Sequence, residues 1–390
     1  MKKIAFWYDY GIAYAAGFNY FKNLLFAIDK ARRAAGNQQV QTILFIGNDL
    51  PAEEEMELKA ITQVVKLDLL TRKTTAWFFH RVLSRLGSQF MVERVLRRHG
   101  ISAISHPSMI SKISRGVKLI SWIPDFQYLH LPQYFPEKYL TDRSERLREI
   151  YSDSDGVIVS SQDAHKDLSS LLKTSDLKKA HVLPFVAQIK KNSTAPGAEL
   201  LTHYKLPEKY FFLPNQFWPH KNHVIAFQAV AAMKAAKIDV KLVCSGWMFD
   251  PTNNKNPNDL LDFVKQQGLQ ENILLLGKIP YPHVIELMRA SVAVINPSLF
   301  EGWSTSVEEA KSLGKPLIAS NIPVHLEQNH PDALYFDPES VDELVDCMAR
   351  TWQRPHGVSE AAERAAENDL ESRTLHFGQR YLKMLDSVLP

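Results

Sequence analysis

Cysteine is nearly missing. Cys244 and Cys347 are the only two in 390 residues, and they lie far apart. That excludes a disulfide framework and a cysteine zinc site, and it fits a reducing compartment. No window approaches 18 uninterrupted apolar residues, so no transmembrane helix is expected. The opening residues MKKIAFWYDYGIAYAAGFNYF combine two lysines with an apolar run. Asp9 interrupts that run early, however, and no small-residue cleavage site follows. The segment reads as a first strand, Ile4 to Tyr8, in a cytoplasmic protein. The fourteen histidines show no HExxH or comparable ligand spacing. No required metal and no cofactor are expected. Repeats and low-complexity tracts are lacking as well.

The chain is 45% hydrophobic and 23% charged, an ordinary globular balance, and its length suits two domains. Short apolar strands alternate with helical patterns. Ile4–Tyr8, Thr42–Gly47, Ser102–His106, Lys118–Ile123 and Gly156–Ser160 read as strands; Phe18–Ala35, Phe78–Arg98, Thr141–Tyr151 and Asp163–Lys173 read as helices. Polar, Pro- and Gly-bearing Gln188–Gly197 is the linker candidate. Alternation then resumes, and Leu370–Leu389 predicts a last helix. Repeated βα units imply parallel sheets covered on both faces.

The most informative stretch is Ile295–Ser320, INPSLFEGWSTSVEEAKSLGKPLIAS. A short strand turns at Asn296-Pro297-Ser298 and re-enters order as a helix. Gly302, Trp303, Ser304, Thr305 and Ser306 stand at the turn, bracketed by Glu301 and Glu309. A hydroxyl-rich turn feeding a helix offers backbone N–H groups and the positive dipole end, which suits a diphosphate. Two carboxylates would repel that anion unless each accepts hydroxyl groups, one set on a ribose and one on a sugar. Such a site takes a nucleotide-sugar donor. The plainer account, acidic residues complementing a helix dipole, is weakened by the surrounding PSLFEG and GKP segments.

These residues resemble the Glu-x7-Glu segment of retaining GT-B glycosyltransferases of the family 4 type. The resemblance implies an α/β GT-B fold of two Rossmann-like doubly wound domains facing a central cleft. It implies an acceptor-side domain at 1–190, a donor domain at 191–368 and a helix at 369–390 crossing back. It implies that Glu309 binds ribose hydroxyls and Glu301 donor-sugar hydroxyls. Lys221, in PNQFWPHKNH, would grip the diphosphate; Asn215-Gln216 stands where relatives carry Gly-Arg, and His220 would supplement the missing cation. Gly277 and Lys278 match the position that holds the base, largely through backbone atoms. Gly17, before the first helix, would face phosphate or acceptor, although a tight turn explains it equally well.

Trp122–Pro132, WIPDFQYLHLP, follows a strand and makes a poor strand and a poor helix, as a site loop would. It is similar to a W-x-P-D-[FL]-Q-H segment of one branch of these transferases. Tyr128 stands where that histidine belongs, and His130 comes two residues later. The resemblance therefore puts Asp125, Gln127, Tyr128 and His130 on the acceptor side, with Asp125 and His130 near the chemistry. As an alternative, Asp125 caps a turn after Pro124. Asp153-Ser154-Asp155 spells D-x-D but precedes a strand, so it reads as a helix-to-strand turn.

Charge is unevenly shared. Residues 1–190 hold 27 Lys and Arg against 19 Asp and Glu, and the remainder 19 against 24. Arg72, Lys73, Arg81, Arg85, Arg94, Arg97, Arg98, Lys112, Arg115 and Lys118 face only Glu93 across that stretch, beside Trp77, Phe78 and Phe79. A basic, aromatic helix suits an anionic membrane surface at the inner face of the cytoplasmic membrane, and equally a solvated face of a half-buried helix. No nucleic-acid motif accompanies the charge.

The expected protein is a hexosyltransferase using a GDP-, UDP- or dTDP-linked sugar and a saccharide or lipid-linked acceptor. Bacterial surface-polysaccharide or lipopolysaccharide assembly is the implied context, with mannose or rhamnose transferred. The alternatives are a nucleotide-sugar epimerase on the same scaffold and a silent membrane-surface binding protein.

Overall fold

The strands read from the sequence are apolar at successive positions, not alternate ones. A strand buried on both faces needs that pattern, and parallel sheets covered by helices supply the burial. The computed structural model describes residues 1–8, 15–107, 113, 116–189, 197–249 and 255–389, and it contains two such sheets. By contacts the chain divides into two compact units. Met1–Val186 with Glu371–Pro390 forms one, and Ala187–Leu370 the other.

The first unit holds β1 (Lys2–Trp7), β2 (Val40–Ile46), β3 (Gln63–Lys66), β4 (Ala103–Ser105), β5 (Lys118–Ile123), β6 (Gly156–Val159) and β7 (Ala180–Val182). They lie in the order β3-β2-β1-β4-β5-β6-β7. The second holds β8 (Phe211–Leu213), β9 (Leu242–Cys244), β10 (Ile273–Leu275), β11 (Val294–Asn296), β12 (Leu317–Ser320) and β13 (Ala333–Phe336). Their order is β10-β9-β8-β11-β12-β13, and the pairings are parallel. Both sheets are doubly wound, as expected. Each reverses direction beside its own first strand, and a crevice opens there beyond the carboxyl ends. In the second sheet that point lies between β8 and β11, where Val294 stands opposite Phe212.

Side-chain alternation divides the second core into two layers. Phe211 and Leu213 of β8, with Leu242, Cys244 and Ile295, join one layer. Tyr210, Phe212, Val243 and Val294 join the other. All are fully buried, and truncating such a phenylalanine to alanine costs about 3–5 kcal/mol.

Several sequence readings need correction. The single helix expected over Phe78–Arg98 is two, Thr75–Arg85 and Phe90–His99. Gly87 takes φ +79, and the N–H of Ser88 closes back on the Leu83 carbonyl, a left-handed stop that ends the first helix. The last helix starts ten residues early, at Glu360, and runs to Val388. Within it Gly378 touches the helix Ala15–Ala34 so closely that a Cβ would lie 2.0 Å from the Ala27 carbonyl oxygen. Between Gly47 and Phe78, where the sequence reading assigns no element, lie a helix, Ala52–Lys59, and the edge strand β3. Asp9–Tyr14 and much of the linker candidate, 190–196, lie outside the described residues, as do Lys112 and Arg115. Gly17 does not precede the first helix; it is that helix's third residue and is buried. The D-x-D stretch is indeed a helix-to-strand turn. Asp155 accepts from Lys118 Nζ (2.7 Å) and from the Leu119 N–H (2.9 Å). Within the basic stretch, Lys118 is therefore ion-paired.

Candidate functional site

β11 ends at Asn296, fully buried at the point where the second sheet reverses. Its amide organises the turn that follows. Nδ2 donates to Ser304 Oγ (2.7 Å) and Ser306 Oγ (3.0 Å), while Oδ1 accepts from the Ser298 N–H (3.3 Å). From the loop after β8, Asn215 Nδ2 donates to the same oxygen at 3.3 Å, and Ser306 Oγ donates back to Asn215 Oδ1 at 3.4 Å. Asn215 thus fastens the two strands flanking the crevice, a different task from the arginine expected at its position. Its carbonyl also excludes a side chain at Gly246, where a Cβ would lie 2.2 Å away.

The helix after the turn is Thr305–Leu313, with Ser304 as N-cap. The Ser304 side chain makes no capping bond, since Asn296 has turned it aside. The expectation of open N–H groups across 302–306 needs one correction. Gln328 Oε1 accepts from the Ser304 N–H (3.2 Å), and its Nε2 returns to the Ser304 carbonyl (2.9 Å) and to Glu308 (3.1 Å). Gln328 stands in for a neighbouring peptide. The helix beyond it presents a positive terminus without a side-chain cap.

Glu301 and Glu309 are both nearly buried, at 8% and 5% exposure. Glu301 accepts from Lys221 Nζ at 2.7 Å and from Ser298 Oγ at 2.7 Å. Burial alone would raise its carboxyl, but the Lys221 ammonium outweighs burial and holds it below the usual value. Lys221 does not open a helix. It closes the short 3-10 turn Pro219–Lys221, and Asn222 at φ +53 separates it from the helix His223–Ala235. His220 is buried in that turn beside Trp218.

Glu309 receives a hydrogen bond from the Tyr281 hydroxyl at 2.8 Å and has no salt bridge among the described residues. Burial pushes its carboxyl up to about 7, against the lowering effect of that bond. Tyr281 begins the helix Tyr281–Ala290 directly after the Gly277–Pro280 loop. Gly277 has φ +64 and accepts from the Gly246 N–H at 2.9 Å, so the two loops brace each other. Lys278 is exposed, and Trp303 and Gly302 are half-buried. Asn296, Tyr281 and Gln328 carried no signal in the sequence. Each reads there as a turn or packing residue, and its partners lie far along the chain.

In the first unit, Asp125 Oδ1 accepts from the Gln127 N–H at 3.1 Å, a turn that opens one helical turn, Gln127–His130, beyond β5. The stretch expected to be irregular is therefore briefly helical. Tyr128 needs correction as an acceptor-side residue. Its ring is buried with Ile123, Phe126 and Leu147, and its hydroxyl accepts from Ser144 at 3.0 Å. His130 Nε2 lies 2.9 Å from Asp167, which raises its imidazole pKa. With Asp163 these residues bring three metal-ligand atoms within 4.8 Å, a grouping invisible in the linear spacing.

The glycosyl transferases group 1 family matches residues 203–370. The O-antigen chain mannosyltransferase RfbU of Salmonella typhimurium is 24% identical over 168 residues, 43% of this chain and 45% of that protein. An Escherichia coli galactosyltransferase acting on GlcNAc-diphosphoundecaprenol is 26% identical over 36% of this chain and 35% of its own. The chain thus spans less than half the length of these curated relatives. Among solved structures, Anabaena HepE crystallised with UDP and glucose superposes with TM-score 0.68 at 16% identity, over 99% of this chain and all of that one. Sucrose-phosphate synthase from Thermosynechococcus elongatus gives 0.69 at 18% identity over the same shares. The fold is that of the GT-B glycosyltransferases, and residues 203–370 on it are similar to the glycosyl transferases group 1 family.

Proposed function

We propose that this protein is a glycosyltransferase that moves a sugar from a nucleoside-diphosphate sugar to a saccharide or lipid-linked acceptor in bacterial surface-polysaccharide assembly. One observation carries the reading: two buried carboxylates, Glu301 and Glu309, flank a helix terminus without a side-chain cap at the crevice of the second sheet. Glu309 takes the ribose hydroxyls and Glu301 the hydroxyls of the transferred sugar. The diphosphate lies at the terminus of Thr305–Leu313 and draws Lys221 away from Glu301. Hydroxyl groups then replace the ammonium as partners of Glu301, so neither charge is left buried alone. Asp125 and Gln127, beyond the carboxyl end of β5, meet the acceptor. The O-antigen and galactosyltransferase relatives support the class of product, and they do not favour the epimerase or silent-scaffold alternatives.

Retention of configuration belongs to the same reading. The bond from the anomeric carbon to the diphosphate oxygen breaks, and the acceptor oxygen bonds to that carbon on the same face. The acceptor proton passes to the departing phosphate oxygen, and the nucleoside diphosphate leaves. Lys221 and the helix terminus stabilise the departing charge without a metal. NMR of the glycoside formed should show the donor's anomeric configuration, at a rate indifferent to EDTA. An inverted product, or activity abolished by EDTA, would overturn these two points.

The membrane surface is part of the proposal. Phe78, Phe79 and Val82 on Thr75–Arg85, Leu86 directly after it and Phe90 on the next helix are exposed among the exposed Arg72, Lys73, Arg85, Arg94, Arg97 and Arg98. Aromatic side chains that insert, ringed by cations, match an anionic bilayer.

A further inference from the structure

His325 lies on the short helix Pro323–Gln328, just past β12, and is completely buried. Its Nδ1 stands 2.9 Å from the Ser320 carbonyl oxygen. A carbonyl only accepts, so Nδ1 carries the proton. Burial depresses the imidazole pKa to about 4, so the ring is neutral at ordinary pH and Nε2 is a bare lone pair. Nε2 has no hydrogen-bond partner among the described residues. Leaving a buried acceptor unmet is unfavourable, and such groups in native proteins call for an explanation.

The surroundings supply one. Ser320 Oγ donates to the Ser298 carbonyl at 2.6 Å, and Ser298 Oγ donates to Glu301 at 2.7 Å. His325 is thereby tied into the wall that holds Glu301, and the charged groups acting on it are Glu301 and Lys221. A neutral lone pair repels phosphate oxygens and attracts hydroxyl hydrogen. The geometry points to His325 Nε2 as a further hydroxyl acceptor in the donor site, contacting the transferred sugar beside Glu301 and selecting for the position of one hydroxyl. The inference rests on the donor-site reading above. Sugars that place that hydroxyl elsewhere leave Nε2 unmet and bind roughly tenfold to hundredfold more weakly.

The test is calorimetric titration of the wild type, His325→Asn and His325→Gln with UDP, GDP and dTDP, and with UDP-glucose, UDP-galactose, GDP-mannose and dTDP-rhamnose. Asn keeps a donor for the Ser320 carbonyl and removes the outer acceptor; Gln offers an acceptor in its place. The expected result is a nucleotide-sugar affinity reduced at least about tenfold in the Asn variant and restored in Gln, with nucleoside diphosphate affinity unchanged. On the wild type, one deoxy analogue of the preferred donor should lose the same factor, and that loss should vanish in the Asn variant. Equal loss of nucleotide and nucleotide sugar, or no loss at all, would overturn the role of His325 alone. If the wild type binds none of these ligands, the donor-site reading falls, and this inference with it.

Discussion

Glu301 and Glu309 are equally buried, yet their carboxyls shift in opposite directions because only one has a cation. Glu309 has a folded pKa near 7, raised from the ordinary 4.5. Its contribution to stability is therefore fully present below pH 4.5 and is lost as pH rises through about 7. Between pH 5.5 and 8.5 the wild type should lose on the order of 1–3 kcal/mol that Glu309→Gln keeps, as seen by paired melting curves. Parallel pH dependence in the two proteins would show that Glu309 does not titrate as described. Glu301 behaves oppositely. Its lowered pKa gives stability present above the unfolded value and lost as pH falls through the folded one. Lys221→Met leaves that buried carboxylate alone and should cost about 3–5 kcal/mol in urea unfolding, with Lys221→Met/Glu301→Gln recovering much of it. A single variant as stable as wild type would mean the pair contributes little.

At the scale of elements, the strands and the helix Thr305–Leu313 were legible because each is a local pattern. Successive apolar residues mark a doubly covered strand, and a hydroxyl-rich turn before a helix marks an anion site. The break at Gly87-Ser88 was locally encoded too, but the continuing amphipathic period masked it. Ala52–Lys59 escaped because its AEEEMELK sequence buries little beyond Leu58. The polar frame of the site was not legible. Asn296 meets Asn215 across 81 positions, and Tyr281 meets Glu309 across 28, so only the folded sheet brings them together. The two basic helices carry their own prediction. Phe78→Ser/Phe79→Ser should reduce sedimentation with phosphatidylglycerol vesicles at least about tenfold while leaving nucleotide binding intact, and neutral phosphatidylcholine vesicles should bind neither protein. Equal binding by wild type and variant would remove the membrane from the account.

For the whole molecule, two sheets of the same winding order are built from one chain, and each places loops beyond its carboxyl strand ends. The two units divide the proposed work accordingly. The second concentrates buried carboxylates, Lys221 and a helix terminus at its crevice, while the first carries Asp125, Gln127 and the basic aromatic face. The donor site is the claim on which the rest depends. It is tested most directly by thermal melting of the purified protein with UDP, GDP, dTDP and ADP and their common sugars, for wild type and Glu309→Ala. A ligand that binds only the native state raises the melting temperature by mass action. The account expects a clear rise with one nucleotide and its sugar, lost in Glu309→Ala. A flat response from every ligand, or a rise untouched by the substitution, would contradict it.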